Sequence, residues 1–400
     1  MQERTPARAG FHKTTVNGRS QPEKPWSRRP SVKTGEDRLN PIHDDIALEQ
    51  TRRRLRIEPD HVRRLRNAFY KKHLPPEVAL GLLPEPQRGA FGSEVSFHAL
   101  TLHSRHDSRL DGASKLLFHT AGGQLIETVI LRIASGRTSL CVSSQVGCAV
   151  RCRFCATGQM GMALNLSRDE ILDQVIQANG QLRAEGRSIR NVVFMGMGEP
   201  LLNEAAVYQA LEVLLSPQCF DLSPAHVLVS TVGFPDAMVQ CAKRFPKVGM
   251  ALSLHSARQE QRESLIPAAR HYRLEVLRKA MEQVTSIQRR PLMVEYLMLD
   301  GLNDTDLDLH ALIAYLRGLR VHVNLIPYNS IREGSGLVGT AAERRRFFAG
   351  ALTAAGFTVT VRYSLGADIS AACGQLARQE TGPVVGLSSL VANEKGDASP

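Results

Sequence analysis

Ser139-Leu-Cys-Val-Ser-Ser-Gln-Val-Gly-Cys148-Ala-Val-Arg-Cys152-Arg-Phe-Cys155 decides how the rest of the chain is read. It opens as a short apolar strand, Ser139 to Ser143, and runs into a loop with the spacing CxxxCxxC. Thiolates bind soft metals and iron-sulfur clusters, and three on one loop can wrap one corner of a cubane. A ferredoxin closes its cluster with a fourth cysteine; an iron left open is instead a coordination site for a substrate or cofactor. The competing reading is a zinc knot with Cys141 as fourth ligand, but its distance in sequence from Cys148 is unlike the familiar CxxC pairs. Cys219 and Cys241 have no partner spacing and read as ordinary buried thiols.

Downstream of Cys155 the chain alternates short apolar strands with longer amphipathic helices. Strands are expected at Val192 to Met195, Val227 to Ser230, Gly249 to Leu254, Met293 to Met298, Val321 to Ile326 and Phe357 to Arg362. Helices are expected between them at Ser167 to Leu182, Glu204 to Leu215, Pro235 to Arg244, Leu274 to Thr285, Asp304 to Leu319 and Ala341 to Ala355. About six such units argue for an α/β fold, a partial (β/α)6 TIM-like barrel, with ligands at the carboxyl ends of its strands.

Upstream, residues 1–43 are rich in Arg, Lys, Pro, Ser, Thr and Gly and are expected to be a disordered basic tail. Residues 44–92 are expected to form a small helical accessory region, with two short helices up to about Leu83 and a linker from Pro84 to Gly92. The second helix sets Val62, Leu65, Ala68 and Phe69 on one face and Arg63, Arg64, Lys71 and Lys72 on the other. With Arg52 to Arg54 and Arg56, this basic face reads equally as a phosphate-binding surface and as a solvated helix face. The main domain is expected over 93–378, with flanking strands such as Glu127 to Ile133, and 379–400 as a C-terminal tail.

The whole is 400 residues with a net charge of +11, which suits a polyanionic partner. The opening MQERTPARAG has no apolar signal core, and no stretch approaches the roughly 20 apolar residues of a membrane span. Seven cysteines, four of them between 141 and 155, favour metal or redox chemistry in a reducing compartment over disulfide stapling. A cytoplasmic location is expected.

CxxxCxxC after the first strand of a partial barrel, with Phe154 before the last cysteine, resembles the radical S-adenosylmethionine (SAM) superfamily. More narrowly, Cys141 to Cys148, Gly196-Met-Gly-Glu-Pro200, Ser253-Leu-His255, Asn324-Leu-Ile-Pro327 and Ala371-Ala-Cys-Gly-Gln-Leu376 are similar to the RlmN and Cfr family of RNA adenine methyltransferases. The resemblance implies a 4Fe-4S cluster held by Cys148, Cys152 and Cys155, its open iron chelated by SAM. It implies SAM contacts at Glu199, Pro200, Ser230, Ser253, Leu254, His255 and Asn324. Cys373 would carry a methyl group from one SAM, and a second SAM would be cleaved to a radical that activates it for addition to the base. Cys141 would release the product by forming a disulfide with Cys373, and Glu127 would accept the ring proton.

The same resemblance implies 23S ribosomal RNA as substrate, transfer RNA as a second one, a reductant protein such as flavodoxin or ferredoxin, and action as a monomer. Carbon 2 of adenine is favoured over carbon 8, the Cfr-like alternative, because Glu199 is followed by Pro200 as in the RlmN type. A reading from another class is an iron-sulfur RNA-binding regulator; it would need neither Cys141, Cys373 nor Glu199.

Overall fold

Ten strands pair in the order in which the chain makes them. The computed structural model describes residues 39–161, 164–331 and 336–377; the tail expected over residues 1–38 and the one over 379–400 lie outside the described residues. The strands are β1 (Leu100–Asp107), β2 (Ala113–Thr120), β3 (Leu125–Arg132), β4 (Thr138–Cys141), β5 (Asn191–Phe194), β6 (Val227–Thr231), β7 (Gly249–Ser253), β8 (Leu292–Met298), β9 (Val321–Pro327) and β10 (Thr358–Val361). From β1 to β4 neighbours are antiparallel, and from β4 to β10 all are parallel.

Parallel neighbours need a crossover, and helices supply one between each pair. Four helices precede the sheet: α1 (Asp45–Arg54), α2 (Pro59–Tyr70), α3 (Pro76–Leu80) and α4 (Glu85–Gly92). The crossovers then hold α5 (Ala156–Gln159) and α6 (Arg168–Arg183), α7 (Glu204–Leu215), α8 (Pro235–Arg244), α9 (Gln259–Leu265) and α10 (Leu274–Ile287), α11 (Asp306–Leu316), and α12 (Ala342–Ala354). The six expected units are these six crossovers, wound on seven parallel strands because the strand before the cysteine loop joins them. The sheet keeps two edges, β1 and β10, as a partial barrel must.

Local chemistry sets the helix starts. Ser167 and Glu170 form a reciprocal capping box at α6, Thr305 and Asp308 do the same at α11, and Pro235 occupies the first turn of α8. Strand cores such as Val294, Tyr296, Val323 and Leu325 are fully buried between sheet and helices. Losing a buried Leu or Phe from such a core costs roughly 2–5 kcal/mol.

The accessory region differs from expectation in three places, one being α3, a third helix before Leu83 where two were expected. Residues 39–43, read as the end of the tail, belong to the fold: Asn40–Pro41 pairs in parallel with Val95–Ser96, and Ile42 is fully buried. The stretch read as a linker is helix α4, because Pro84 and Pro86 fall at its cap and first turn, where a missing N–H costs nothing. Leu48, Val62, Leu65, Phe69, Tyr70 and Phe91 form its core together with Ile176 and Cys219 of the main domain. Asp173 on α6 fixes the junction, accepting hydrogen bonds from the Ala99 and Leu100 amides at 2.8 Å and pairing with His98.

The basic face is partly neutralised by its own neighbours. Arg63 and Arg64 reach Asp60, Arg52 and Arg53 reach Glu49, and Lys71 reaches Asp221. Exposed pairs of this kind contribute little stability and lower the net charge offered to a phosphate. Among the described residues no helix is long and apolar enough to cross a membrane.

Candidate active site

A cavity opens at the carboxyl ends of the parallel strands, where β4 to β10 and the cysteine loop meet. Cys148, Cys152 and Cys155 form part of its wall, and Glu199, Ser230, Ser253, His255 and Cys373 line it as well. Pro200, Leu254 and Asn324 are buried beside it without being lining residues. Glu295 and Arg362 line the cavity and were not foreseen from sequence.

The cysteine loop is pinned from two sides. Gly158 on α5 sits so close beneath it that a Cβ there would lie 2.8 Å from the Cys152 amide nitrogen. On the other side the Arg153 amide donates to the Leu265 carbonyl at 3.0 Å. Burial pushes the Cys148 thiol up to about 12 and the other two upward as well. Among the described residues no three His, Cys, Asp or Glu side chains converge on a point that could hold a single metal ion. Three thiols on one loop are a soft donor set that fits an iron-sulfur cluster; ligation would make them thiolates.

Glu199 follows Gly198, whose φ of +100° needs glycine and whose Cβ would clash with Gln145 at 2.5 Å. Gln145 in turn accepts the Glu199 amide at 2.9 Å. The carboxylate accepts the Leu201 amide at 3.0 Å and the Val232 amide at 2.9 Å, and the Thr231 hydroxyl bonds it as well. Burial raises its pKa to about 7, against these hydrogen bonds. A carboxylate so poised suits a cationic group such as the SAM ammonium.

His255 takes a left-handed backbone, φ +56°, and its Nδ1 accepts the Leu297 amide at 3.0 Å, which leaves Nε2 as the donor. Burial and then Arg262 lower its pKa to about 3, so it is neutral. Its ring stands edge-on to Phe154 at 4.7 Å. Asn324 donates to both oxygens of Glu295, at 3.0 and 2.9 Å, and so reaches the cavity through that carboxylate. Arg362 lies 3.9 Å from the same carboxylate.

The segment bearing Cys373 is stitched to the cysteine loop. The Ala156 amide donates to the Gly374 carbonyl at 2.7 Å, Thr157 to the Leu376 carbonyl at 2.5 Å, and Asn329 to the Cys373 carbonyl at 3.2 Å. Gly374 has φ +86°, and a Cβ on it would lie 3.0 Å from the Phe154 carbonyl. Cys373 is exposed and Cys141 buried, yet both thiols act on the Arg362 guanidinium. Burial, then Cys373, pushes the Cys141 thiol up to about 12, and Arg362 pulls it back. Glu127 is fully buried, 3.4 Å from the equally buried Lys115 ammonium. Its other oxygen accepts the Ala377 amide at 3.0 Å, so it touches the Cys373 segment and not the cavity wall. Cys219 and Cys241 are buried, as expected.

A chain segment with this wall of thiols is matched by known proteins. Residues 142–313 match the family model described as the Radical SAM superfamily. A "Probable RNA methyltransferase" of Rhodopirellula baltica is 52% identical over 333 residues, covering 83% of this chain and 86% of that one. A "Probable dual-specificity RNA methyltransferase RlmN" of Chlorobium phaeobacteroides is 42% identical, covering 67% of this chain and 74% of that one. Among solved structures, a radical SAM methyltransferase from Sphaerobacter thermophilus superposes with a TM-score of 0.79 at 35% identity, covering 85% of this chain and all of that one.

Proposed function

The chain belongs to the RlmN/Cfr family of radical SAM RNA methyltransferases, and from that membership we propose that it methylates carbon 2 of an adenine in 23S ribosomal RNA, with transfer RNA as a second substrate. The observation that carries the reading is the stitching of the Cys373 segment to the cysteine loop, which brings that thiol to the cavity shared by Glu199, Ser230 and Arg362. An unactivated aromatic carbon has no lone pair with which to attack SAM, so the transfer needs a radical route. Cys148, Cys152 and Cys155 would hold the cluster, and with SAM bound there it would supply one-electron reductive cleavage as the source of the radical, one SAM giving the methyl group and a second the radical.

Cys373 carries the methyl carbon on sulfur. After hydrogen is removed from that methyl, the carbon adds to the base, and RNA is joined to the protein through a sulfur-carbon bond. A base must take the proton lost by the ring carbon; Glu127, which the resemblance implies for this role, is buried behind the Cys373 segment on Lys115 and the Ala377 amide, so it would act only if that segment gives the base access to it. The radical adduct gives one electron back to the carrier that reduced the second SAM; Cys141 then attacks the Cys373 sulfur, forming an S–S bond as the S–C bond breaks, the released carbon takes up a proton to become the methyl group, and a two-electron thiol reductant restores the two thiols. The Arg362 guanidinium favours the anionic form of Cys141, against its burial. SAM trideuterated on the methyl tests this route: the product should retain two of the three deuteriums, whereas direct transfer from SAM would retain all three.

Glu199 gives the pH dependence. With its pKa raised to about 7, it is protonated below that pH and cannot pair with an ammonium. SAM affinity should therefore weaken as pH falls through about 7, by about tenfold per unit well below it. His255, already neutral in this range, cannot be the source. Calorimetric titration of SAM across this range should show the slope in the natural chain and lose it in Glu199→Gln; an affinity flat with pH in the natural chain would remove Glu199 from the ammonium site.

A further inference from the structure

Arg262 on α9 is a buried cation without a buried anion. Its guanidinium donates to the backbone carbonyls of Ser253 at 3.0 Å and, in still closer contacts, of Leu254 and Val232. Its Nε is a buried donor with no acceptor. Burial lowers its pKa only to about 10, so it is charged at neutral pH, and the anionic-capable groups that act on it are Tyr315 and Cys152. Among the described residues no carboxylate pairs with it.

Carbonyl dipoles satisfy N–H groups but bring no net negative charge, and an isolated buried charge is costly unless something opposite stands close by. The neighbour is the cysteine loop. Cys152 shares an apolar cluster with Leu265 and Ile266, one helical turn beyond Arg262, and the Arg153 amide is bonded to the Leu265 carbonyl. Val232 and Ser253, whose carbonyls Arg262 holds, line the same cavity as Cys152.

We propose that Arg262 is the built-in counter-charge of the iron-sulfur cluster at its Cys152 corner and that it holds the cluster's reduction potential up. The proposal rests on the three-cysteine reading of the cluster. Reduction adds negative charge to the cluster, so a fixed cation beside it favours the reduced form that SAM cleavage requires. Neutralising Arg262 makes the cluster harder to reduce without removing a ligand.

The test is a redox titration followed by electron paramagnetic resonance, with iron and sulfide content measured on the same preparations of the natural chain, Arg262→Gln, Arg262→Lys and Cys152→Ala. Arg262→Gln should keep its iron and shift the midpoint to more negative potential, while Arg262→Lys, which keeps the charge and loses the three-carbonyl grip, should stay near the natural value. An unshifted Arg262→Gln, or a Lys variant displaced as far as the Gln variant, would overturn the proposal. So would an Arg262→Gln chain that fails to fold even without iron, since Arg262 would then be a strut for the carbonyls. A natural chain without iron, or Cys152→Ala with a full complement, would instead overturn the three-cysteine reading itself.

Discussion

Cys141→Ala should stop turnover with the RNA covalently attached to the protein, while Cys373→Ala should form no attachment at all. Cys373 is the exposed thiol at the cavity and Cys141 the buried one, and both act on Arg362. Without Cys141 the carrier can still be methylated, activated and coupled to the base, but nothing attacks its sulfur to break the bond to carbon. The adduct should approach one RNA per chain, with product release abolished. Without Cys373 no sulfur remains to bear the carbon, so the single variant and the Cys141/Cys373 double variant should both be silent. Denaturing gels with labelled RNA read this directly. Normal turnover by Cys141→Ala, or a crosslink that survives Cys373→Ala, would mean that the two roles have been misassigned.

The other large effect belongs to the cysteine loop. Replacing Cys148, Cys152 or Cys155 by Ala should take the protein from about four irons per chain and a brown colour to neither, with loss of SAM cleavage. The fold should survive, because the loop is also anchored through Arg153 to Leu265 and through Gly158 beneath Cys152. Anaerobic purification followed by metal analysis decides it: a colourless natural chain with stoichiometric zinc would revive the zinc knot.

The parallel core is legible in the sequence because buried strands read as short apolar runs and their helices carry clear start signals. Helices α7 and α8 run over the residues expected for them. Helix α9 escapes because Gln259–Leu265 is under two turns long and mostly polar; it is held by Arg262 and Leu265, whose partners are distant in sequence. Glu295 is invisible for another reason. It is one charge in the apolar strand Leu292–Met298, and only the phase of that strand against the cavity turns it into a site residue. A carboxylate inside an otherwise apolar strand was the available signal, and the same logic would have found Arg362 at the end of β10. Asn324, expected at the cofactor, grips Glu295, a contact set by the register of β8 with β9 that no spacing encodes.

The measurement that bears most directly on the account is mass spectrometry of nucleosides from ribosomal and transfer RNA incubated anaerobically with the reconstituted enzyme, SAM and a reductant. The expected product is 2-methyladenosine, formed by the natural chain and absent with Cys373→Ala. 8-Methyladenosine, or no methylated adenosine from a protein with its full complement of iron, would contradict it.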